Sequence, residues 1–249
     1  MIRPIIAGNW KMNKTIAEAV GFAEGLKAAL KTPPAREVIV APPFTALQAV
    51  AQAFRGSAVR LAAQNLHEAP KGAFTGEISA GMLQEAGCTH VIIGHSERRT
   101  LFGETDDRIN RKLRAALDAS LTPIFCIGEL LQEREAGETE AVIERQLKGG
   151  LNNFTSGDIG HLVVAYEPVW AIGTGKTASP GQAQEVHRFI RRWTADRYGK
   201  ETSAELAILY GGSVTPKNIA ELLQQPDING ALVGGASLDI DSFVQMIGC

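Results

Sequence analysis

The sequence predicts an α/β fold in which eight parallel strands, each followed by helix, close into a single (β/α)8 barrel. Short runs of β-branched or small apolar residues recur eight times, and longer segments with helical spacing separate them. Eight repeats in 249 residues give about 31 residues each, which is the size of one βα unit. No linker or low-complexity segment divides the chain, so we expect residues 1–249 to form one domain.

The eight apolar runs are predicted to be strands, because brief continuous runs are typical of strands buried on both faces of a parallel sheet. In chain order they are Pro4–Gly8, Val38–Ala41, Arg60–Ala63, His90–Gly94, Pro123–Ile127, Leu162–Ala165, Leu206–Leu209 and Gly230–Val233.

Helical periodicity is clearest in two of the intervening segments. The first places one apolar face at steps of three or four residues, formed by Ile16, Val20, Ala23, Leu26 and Leu30. The second, from Thr105 to Ser120, sets an apolar face against a polar one, namely Ile109, Leu113, Ala116 and Leu117 against Arg111, Lys112 and Asp118.

The residues of unusual chemistry fall just past the predicted strands, which favours a barrel over an open doubly wound sheet. They are Asn9, Lys11, Gln64, Asn65, His95, Glu129, Glu167, residues 211–213, Gly234 and Gly235. In a barrel these strand ends meet at one rim, where barrel enzymes place their chemistry. An open sheet would instead concentrate such residues near one switch point.

The composition argues against several classes of function. A formal net charge of −2, without a Lys/Arg run, argues against a nucleic-acid surface. No apolar run is long enough to span a membrane. The three cysteines, Cys88, Cys126 and Cys249, form no CxxC pair, which indicates a reduced compartment. Residues 1–14 lack the apolar stretch of a signal peptide, so we expect a cytoplasmic location.

A strand-end carboxylate, Glu167, precedes a loop whose two glycines and tryptophan suit a base beneath a moving lid, Pro168 to Lys176. An isolated strand-end Glu is more often part of a surface salt bridge. The tripeptide Gly175-Lys176-Thr177 resembles the end of a P-loop, but Trp170 stands where that motif needs its first glycine. We therefore reject an ATP-binding function.

Three further features gain weight only in combination. His95 follows Gly94 at a strand end, where a neutral imidazole can donate to a carbonyl oxygen, although a lone His is more often structural. Lys11 is either a positive charge at the rim or an ordinary solvated lysine. Gly211-Gly212-Ser213 and Gly234-Gly235 allow backbone N–H groups to approach an anion, although either alone indicates a simple turn. Their positions after the seventh and eighth strands favour a phosphate site.

No cofactor or metal is predicted. The five histidines are scattered, and no His/Cys/Asp cluster has the spacing of metal ligands. Cys126 lies inside a buried run without an adjacent base, so we expect it to pack rather than to act as a nucleophile.

Four motifs resemble those of the triosephosphate isomerase family. They are Gly8-Asn9-Trp10-Lys11-Met12-Asn13, Gly94-His95-Ser96-Glu97-Arg98-Arg99, residues 166–176 and Tyr210-Gly211-Gly212-Ser213-Val214. The likeness covers the full chain, and each long motif is highly specific. It implies a TIM barrel and an isomerase that interconverts dihydroxyacetone phosphate and D-glyceraldehyde 3-phosphate through an enediol(ate), in glycolysis and gluconeogenesis.

The resemblance also implies roles for individual residues. Glu167 is implied as the base that moves a proton between two substrate carbons, and His95 as the neutral acid that serves the two oxygens. Lys11 is implied to stabilise the developing negative charge, with Asn9 positioning the substrate and Glu97 orienting Lys11. No cofactor is implied, because nothing is oxidised overall.

Two further elements of the family follow from the same resemblance. The backbone at Gly173, Ser213, Gly234 and Gly235 is implied to hold the substrate phosphate. The loop Gly72–Glu77 is implied to insert into a second subunit near its Asn9 and Lys11, which gives a two-fold homodimer.

Two other functions fit a barrel of this kind. A sugar-phosphate aldolase or synthase that works through a Schiff base needs a lysine inside a strand, and none of the predicted strands carries one. A barrel kept as a binding scaffold is disfavoured, because a base, an acid, a cation, a lid and phosphate turns are all present.

Overall fold

A computed structural model describes residues 2–30, 34–172 and 177–249. The strands are β1 (Ile5–Asn9), β2 (Glu37–Ala41), β3 (Arg60–Ala63), β4 (His90–Ile93), β5 (Thr122–Ile127), β6 (Val163–Tyr166), β7 (Ala207–Tyr210) and β8 (Gly230–Val233). The α-helices are α1 (Ile16–Ala29), α2 (Leu47–Ala53), α3 (Ala80–Glu85), α4 (Ser96–Phe102), α5 (Asp106–Asp118), α6 (Leu131–Glu135), α7 (Thr139–Gly150), α8 (Ser156–Ile159), α9 (Pro180–Tyr198), α10 (Lys200–Glu205), α11 (Ile219–Leu223) and α12 (Ile240–Gly248). Short 3-10 helices lie at Phe44–Ala46, Val169–Ala171 and Gly235–Leu238.

The eight strands pair in parallel, in chain order, to form a closed barrel. The barrel closes where β1 lies between β2 and β8, with Ile5 opposite Glu37 on one side and Gly230 on the other. Gly230 has a φ of 149°, and a Cβ there would lie 1.9 Å from the carbonyl oxygen of Ile5. Closure therefore needs glycine at this position. The predicted fold is confirmed, and the predicted strand ends match the observed ones to within one residue.

Alternation along each strand divides the apolar residues between two cores. Ile5 and Ala7 of β1 belong to the core inside the barrel, whereas Ile6 belongs to the core between strands and helices. Both faces of each strand are thus covered, which is why the strands read as continuous apolar runs. Polar chemistry is left to the residues at the strand ends.

The predicted apolar face of α1 was only partly right. The buried residues are Ala19, Phe22, Ala23 and Leu26. Ile16, by contrast, is 51% exposed. Ile16 is the first residue of α1, so no preceding turn of this helix covers it. The buried face therefore begins one turn later than the sequence pattern predicted.

The predicted polar face of α5 was wrong at Lys112, whose side chain is fully buried. Its Nζ donates to Glu104 Oε1 at 2.6 Å and to Asn65 Oδ1 at 2.8 Å. A buried ammonium is tolerated when it is paired and hydrogen-bonded in this way. Lys112 thus joins the interior together with Ile109, Leu113 and Ala116.

The loop Gly72–Glu77 lies in the long connection between β3 and α3. Two backbone hydrogen bonds fold it, from the Phe74 N–H to the Gly72 carbonyl and from the Glu77 N–H to the Phe74 carbonyl. The Phe74 ring packs on the His67 ring with the two centroids 4.1 Å apart, yet Phe74 remains 46% exposed. The loop is therefore ordered by its own contacts while presenting an aromatic ring to its surroundings.

No helix within the described ranges is long and apolar enough to cross a membrane.

Candidate active site

A cavity of about 300 Å³ opens at the carboxyl-terminal rim of the barrel, where the sequence placed its polar residues. Its lining includes the predicted residues Asn9, Lys11, His95, Glu167, Ser213, Gly234 and Gly235. Glu97 does not line the cavity but contacts Lys11 at its edge. The predicted phosphate ligand Gly173 and the rest of the predicted lid, residues 174–176, lie outside the described residues.

The turn after β1 fixes Lys11. Asn9, the last residue of β1, accepts a hydrogen bond from the Lys11 N–H at 3.1 Å, and Gln64 donates to the Lys11 carbonyl at 2.8 Å. Lys11 itself has a φ of 53°, in the left-handed region that non-glycine residues rarely occupy. Its Nζ lies 2.6 Å from Glu97 Oε1. The ammonium group is thus held by both its backbone and its ion pair.

His95 is the N-cap residue of α4, and its ring is oriented by that helix. Its Nδ1 accepts a hydrogen bond from the Glu97 backbone N–H at 3.2 Å. An Nδ1 that accepts cannot also carry the proton, so the proton of the neutral ring lies on Nε2. Nε2 faces Glu167 Oε1 at 3.0 Å.

Glu167 directly follows β6 and is only 2% exposed. Its backbone N–H donates to the Ile127 carbonyl at 2.7 Å, and its Oε2 accepts from the Ser96 backbone N–H at 2.9 Å. A Cβ on Gly211 would come within 2.9 Å of the Glu167 Cγ. The Glu167 backbone is thus held by β5, while its side chain lies between the Ser96 N–H and Gly211.

Glu167 and His95 shift each other's titration. Burial disfavours the charged form of His95, but the facing Glu167 carboxylate outweighs it and raises the pKa of the imidazole. Burial likewise disfavours the Glu167 carboxylate, but His95 and the Ser96 N–H outweigh it and lower the pKa of Glu167. The pair therefore keeps Glu167 ionised near neutral pH.

Two glycine-containing turns form the opposite wall. A Cβ on Gly234 would lie 3.6 Å from Lys11 Cε, so this turn lies directly beside the lysine side chain. A Cβ on Gly212 would lie 2.2 Å from the Tyr210 hydroxyl oxygen, so only glycine fits there. The turn that begins at Ser213 is closed by Asn218, which donates to the Ser213 carbonyl at 3.0 Å.

Sequence reasoning missed two contributors. The Ser96 N–H holds Glu167, but a backbone donor leaves no signature in the sequence. Glu129 was noted as a strand-end residue but was given no role. Its carboxylate is fully buried and accepts hydrogen bonds from the Tyr166 hydroxyl at 3.0 Å and the Trp170 indole N–H at 2.9 Å. Its position after β5 was the one available signal.

Among the described residues, no cluster of three or more His, Cys, Asp or Glu side chains could hold a metal ion.

Comparison with known proteins gives one consistent family. The family model described as Triosephosphate isomerase matches residues 4–249. The triosephosphate isomerase of Endomicrobium trichonymphae is 53% identical over 247 residues, 99% of this chain and 98% of that protein. The triosephosphate isomerase of Moorella thermoacetica is 56% identical with the same coverage. A crystal structure of triosephosphate isomerase from Bartonella henselae superposes with a TM-score of 0.89 at 41% identity, covering 98% of both chains.

Proposed function

The chain belongs to the triosephosphate isomerase family, and from that premise we propose that Glu167 and His95 carry out its proton transfers. The enzyme interconverts dihydroxyacetone phosphate and D-glyceraldehyde 3-phosphate, a step of glycolysis and gluconeogenesis. The observation that carries the proposal is that Glu167, His95 and Lys11 converge on one cavity beside two glycine turns.

The reaction moves one proton between neighbouring carbons and one between their oxygens. Glu167 takes the proton from the carbon beside the carbonyl, leaving an enediolate, and returns it to the adjacent carbon. His95 donates its Nε2 proton to the carbonyl oxygen and takes the hydroxyl proton in exchange. A Glu base with a neutral His is the arrangement already documented for triosephosphate isomerases.

Charge on the substrate oxygen is the main obstacle to this chemistry. Lys11 supplies a positive charge at the cavity, and its contact with Glu97 limits where that charge can be. Substrate binding must break the contact between Glu167 and His95, because in the complex each of the two side chains faces a different substrate atom. Parting them removes the group that most strongly raises the His95 pKa, which leaves burial, Lys11 and the Glu97 N–H to favour the neutral ring against the Glu97 carboxylate.

The phosphate is proposed to bind the backbone of Ser213, Gly234, Gly235 and Gly173. The first three are supported by their places in the cavity wall. We propose Pro168–Lys176 as the lid over the site. The first part of this segment is held by Glu129, which follows β5. The Glu129 carbonyl accepts a hydrogen bond from the Val169 N–H at 3.1 Å, and its carboxylate accepts one from the Trp170 indole N–H at 2.9 Å.

We further propose that the protein is a homodimer in which the loop Gly72–Glu77 enters a second subunit near its Lys11. Support comes from apolar side chains left exposed on this chain. Among them are Met12 at 95%, Phe74 at 46%, Leu101 at 73% and Phe102 at 63% exposure. A second copy is the occupant that would cover them.

Two other assignments remain proposals. One domain is supported by the pairing of β1 with β8, which joins the first and last strands. A cytoplasmic location is supported by three free cysteines, of which Cys88 and Cys126 are buried.

The alternative Schiff-base chemistry is disfavoured by where the lysines lie. That chemistry needs a lysine inside a strand, whereas none of the eight strands carries one and Lys11 lies beyond the end of β1. Borohydride trapping with substrate should therefore leave the chain unmodified.

Isomerisation in D2O tests the proposed mechanism. Converting dihydroxyacetone phosphate and trapping the aldehyde product at once should place solvent deuterium on its C2, because the proton held by Glu167 exchanges before it returns. Glu167→Gln should remove both turnover and deuterium incorporation. Rapid turnover without any deuterium, retained in Glu167→Gln, would indicate hydride transfer and would exclude Glu167 as the base.

A further inference from the structure

Arg99 lies outside the cavity, yet its guanidinium contacts the end of β4, which precedes His95, and the end of β5, which binds the Glu167 backbone. Its Nε donates to the Gly94 carbonyl at 2.8 Å, and one terminal nitrogen donates to the Cys126 carbonyl at 3.1 Å. The other terminal nitrogen donates to Asp106 Oδ1 at 2.6 Å. All three nitrogens are thus engaged by acceptors from three different elements.

The two carbonyls lie where β4 and β5 stop pairing. The last paired residues are Ile93 and Phe125, so Gly94 and Cys126 are the next residues on each strand. Gly94 has a φ of 74°, which turns the chain out of the strand. A Cβ on Gly94 would lie 3.2 Å from both the Arg99 terminal nitrogen and the Cys126 oxygen. Glycine therefore leaves the space in which Arg99 bridges the strands.

Each bridged carbonyl precedes a residue of the site. His95 follows Gly94, and Ser96, whose N–H holds the Glu167 carboxylate, comes next. On the other strand Cys126 precedes Ile127, whose carbonyl accepts the Glu167 backbone N–H at 2.7 Å. The Glu167 carboxylate is thus held by the segment that follows β4, and its backbone is held by β5. Arg99 connects these two strands.

We propose that Arg99 is a positioning residue which, by bridging the Gly94 and Cys126 carbonyls, sets the placement of His95 relative to Glu167. This inference rests on the proposed roles of those two residues. Lysine cannot replace Arg99 in this role, because an ammonium group lacks the planar fork that reaches several acceptors at fixed angles.

Arg99→Ala and Arg99→Lys test the bridge, with Arg114→Ala as the matched control. Arg114 also binds a carboxylate and a backbone carbonyl, through Asp158 and Asn153, but it lies outside the lining of the active-site cavity. For Arg99→Ala we expect kcat to fall about 100-fold with KM little changed, because misplacement by about 1 Å has that effect. Arg99→Lys should lose at least about tenfold in kcat, and Arg114→Ala should stay within about twofold of the parent.

Chemical rescue supplies a readout that a purely structural role would not move. Arg99 also borders a separate cavity of about 480 Å³, through which a small cation can approach. Guanidinium chloride at low millimolar concentration should raise kcat of Arg99→Ala saturably. Ammonium chloride at equal ionic strength should not, and neither salt should activate the parent or Arg114→Ala.

The possible results decide the proposal. It is overturned if Arg99→Ala keeps the parental kcat, if Arg99→Lys matches the parent so that charge alone suffices, or if Arg114→Ala loses kcat equally. If Arg99→Ala does not fold, Arg99→Lys and its kcat-to-KM split decide the question. Failure of the proposed function is recognised separately, since Glu167→Gln would then keep the parental turnover.

Discussion

His95 Nε2 lies 3.0 Å from Glu167 Oε1, while His95 Nδ1 accepts the backbone N–H of Glu97. The two ring nitrogens therefore have opposite roles: Nδ1 is fixed as an acceptor by the start of α4, and Nε2 is left to donate into the cavity. Because the donor faces the proposed base directly, the functions of the two side chains have to be separated by substitution.

Glu167→Gln should preserve the fold and lower kcat by about 10²–10⁴-fold, since it removes a general base without changing side-chain shape. A coupled isomerase assay measures the rate, and competitive inhibition by inorganic phosphate reports the phosphate turns, which should be unaffected. Glu24→Gln, an exposed position on α1, serves as the control. Activity close to that of the parent would remove Glu167 from the mechanism.

His95→Gln should lower kcat by about 10²-fold or more and leave KM nearly unchanged, because the lost hydrogen bond strengthens only as charge develops on the substrate oxygen. Steady-state kinetics in both directions measures the two constants. His161→Gln, at an exposed histidine, should match the parent. A rise in KM alone would make His95 a binding residue.

Glu97→Gln should lower kcat about tenfold, because Lys11 loses the partner that holds its ammonium in one place. Asp107→Asn, which removes the surface ion pair with Arg111, controls for loss of a charged contact as such. Kinetics and thermal melting of both variants give the comparison. Equal kinetics in the two variants would show that Glu97 does not orient Lys11.

Acid should destabilise the protein between pH 6.5 and 4 through two buried histidines. Burial lowers the pKa of His187 to about 4, with Arg191 contributing and Asp227 opposing, and burial with Arg60 lowers the pKa of His90 to about 4. In this pH range these two histidines are protonated in the unfolded chain but remain neutral in the folded chain, so the folded state loses stability as the pH falls. Each histidine lowers the free energy of unfolding by on the order of 3 kcal/mol at pH 4.

Denaturant unfolding of the parent and of His187→Gln at several pH values measures this effect. The His187→Gln variant should show a shallower dependence of the unfolding free energy on pH than the parent, with His161→Gln, at an exposed histidine, run as the comparison. His95 acts in the opposite sense, because its raised pKa favours the folded state in acid. Parallel slopes for the parent and His187→Gln would show that His187 protonates without unfolding the chain.

Deleting residues 73–76 should convert a particle of twice 26.6 kDa into a monomer with poor activity. Sedimentation at micromolar concentration measures the mass, and the coupled assay measures the activity. Phe74→Ser is the milder variant, which should weaken association with concentration-dependent loss of activity. A fully active monomer would contradict the proposed dimer.

The barrel was predictable because each strand is apolar on both faces, and the rim followed because closure brings all carboxyl ends together. The burial of Lys112 was not predictable, since a charged residue in a helical pattern normally faces solvent. Its partner Asn65 lies 47 residues away, and only the folded barrel brings the two together.

The backbone donor that holds Glu167 and the bridge made by Arg99 could not be predicted from the sequence for a related reason. The Ser96 N–H and the carbonyls that Arg99 bridges have no side-chain signature, so their use depends on where two strands end relative to each other. Sequence motifs indicated the proposed reacting groups, whereas the contacts that orient them depend on how the folded strands are arranged.

The pairing of β1 with β8 has a consequence during protein synthesis. Asn9 and Lys11 leave the ribosome long before Gly234 and Gly235 are made, and Ile5 can meet Gly230 only after β8 has been synthesised. Contacts this distant in sequence form late, because the intervening chain must first be ordered. A nascent chain that stops short of β8 therefore carries the proposed base and acid without the turn beside Lys11, and β8 must be made before the enzyme can turn over.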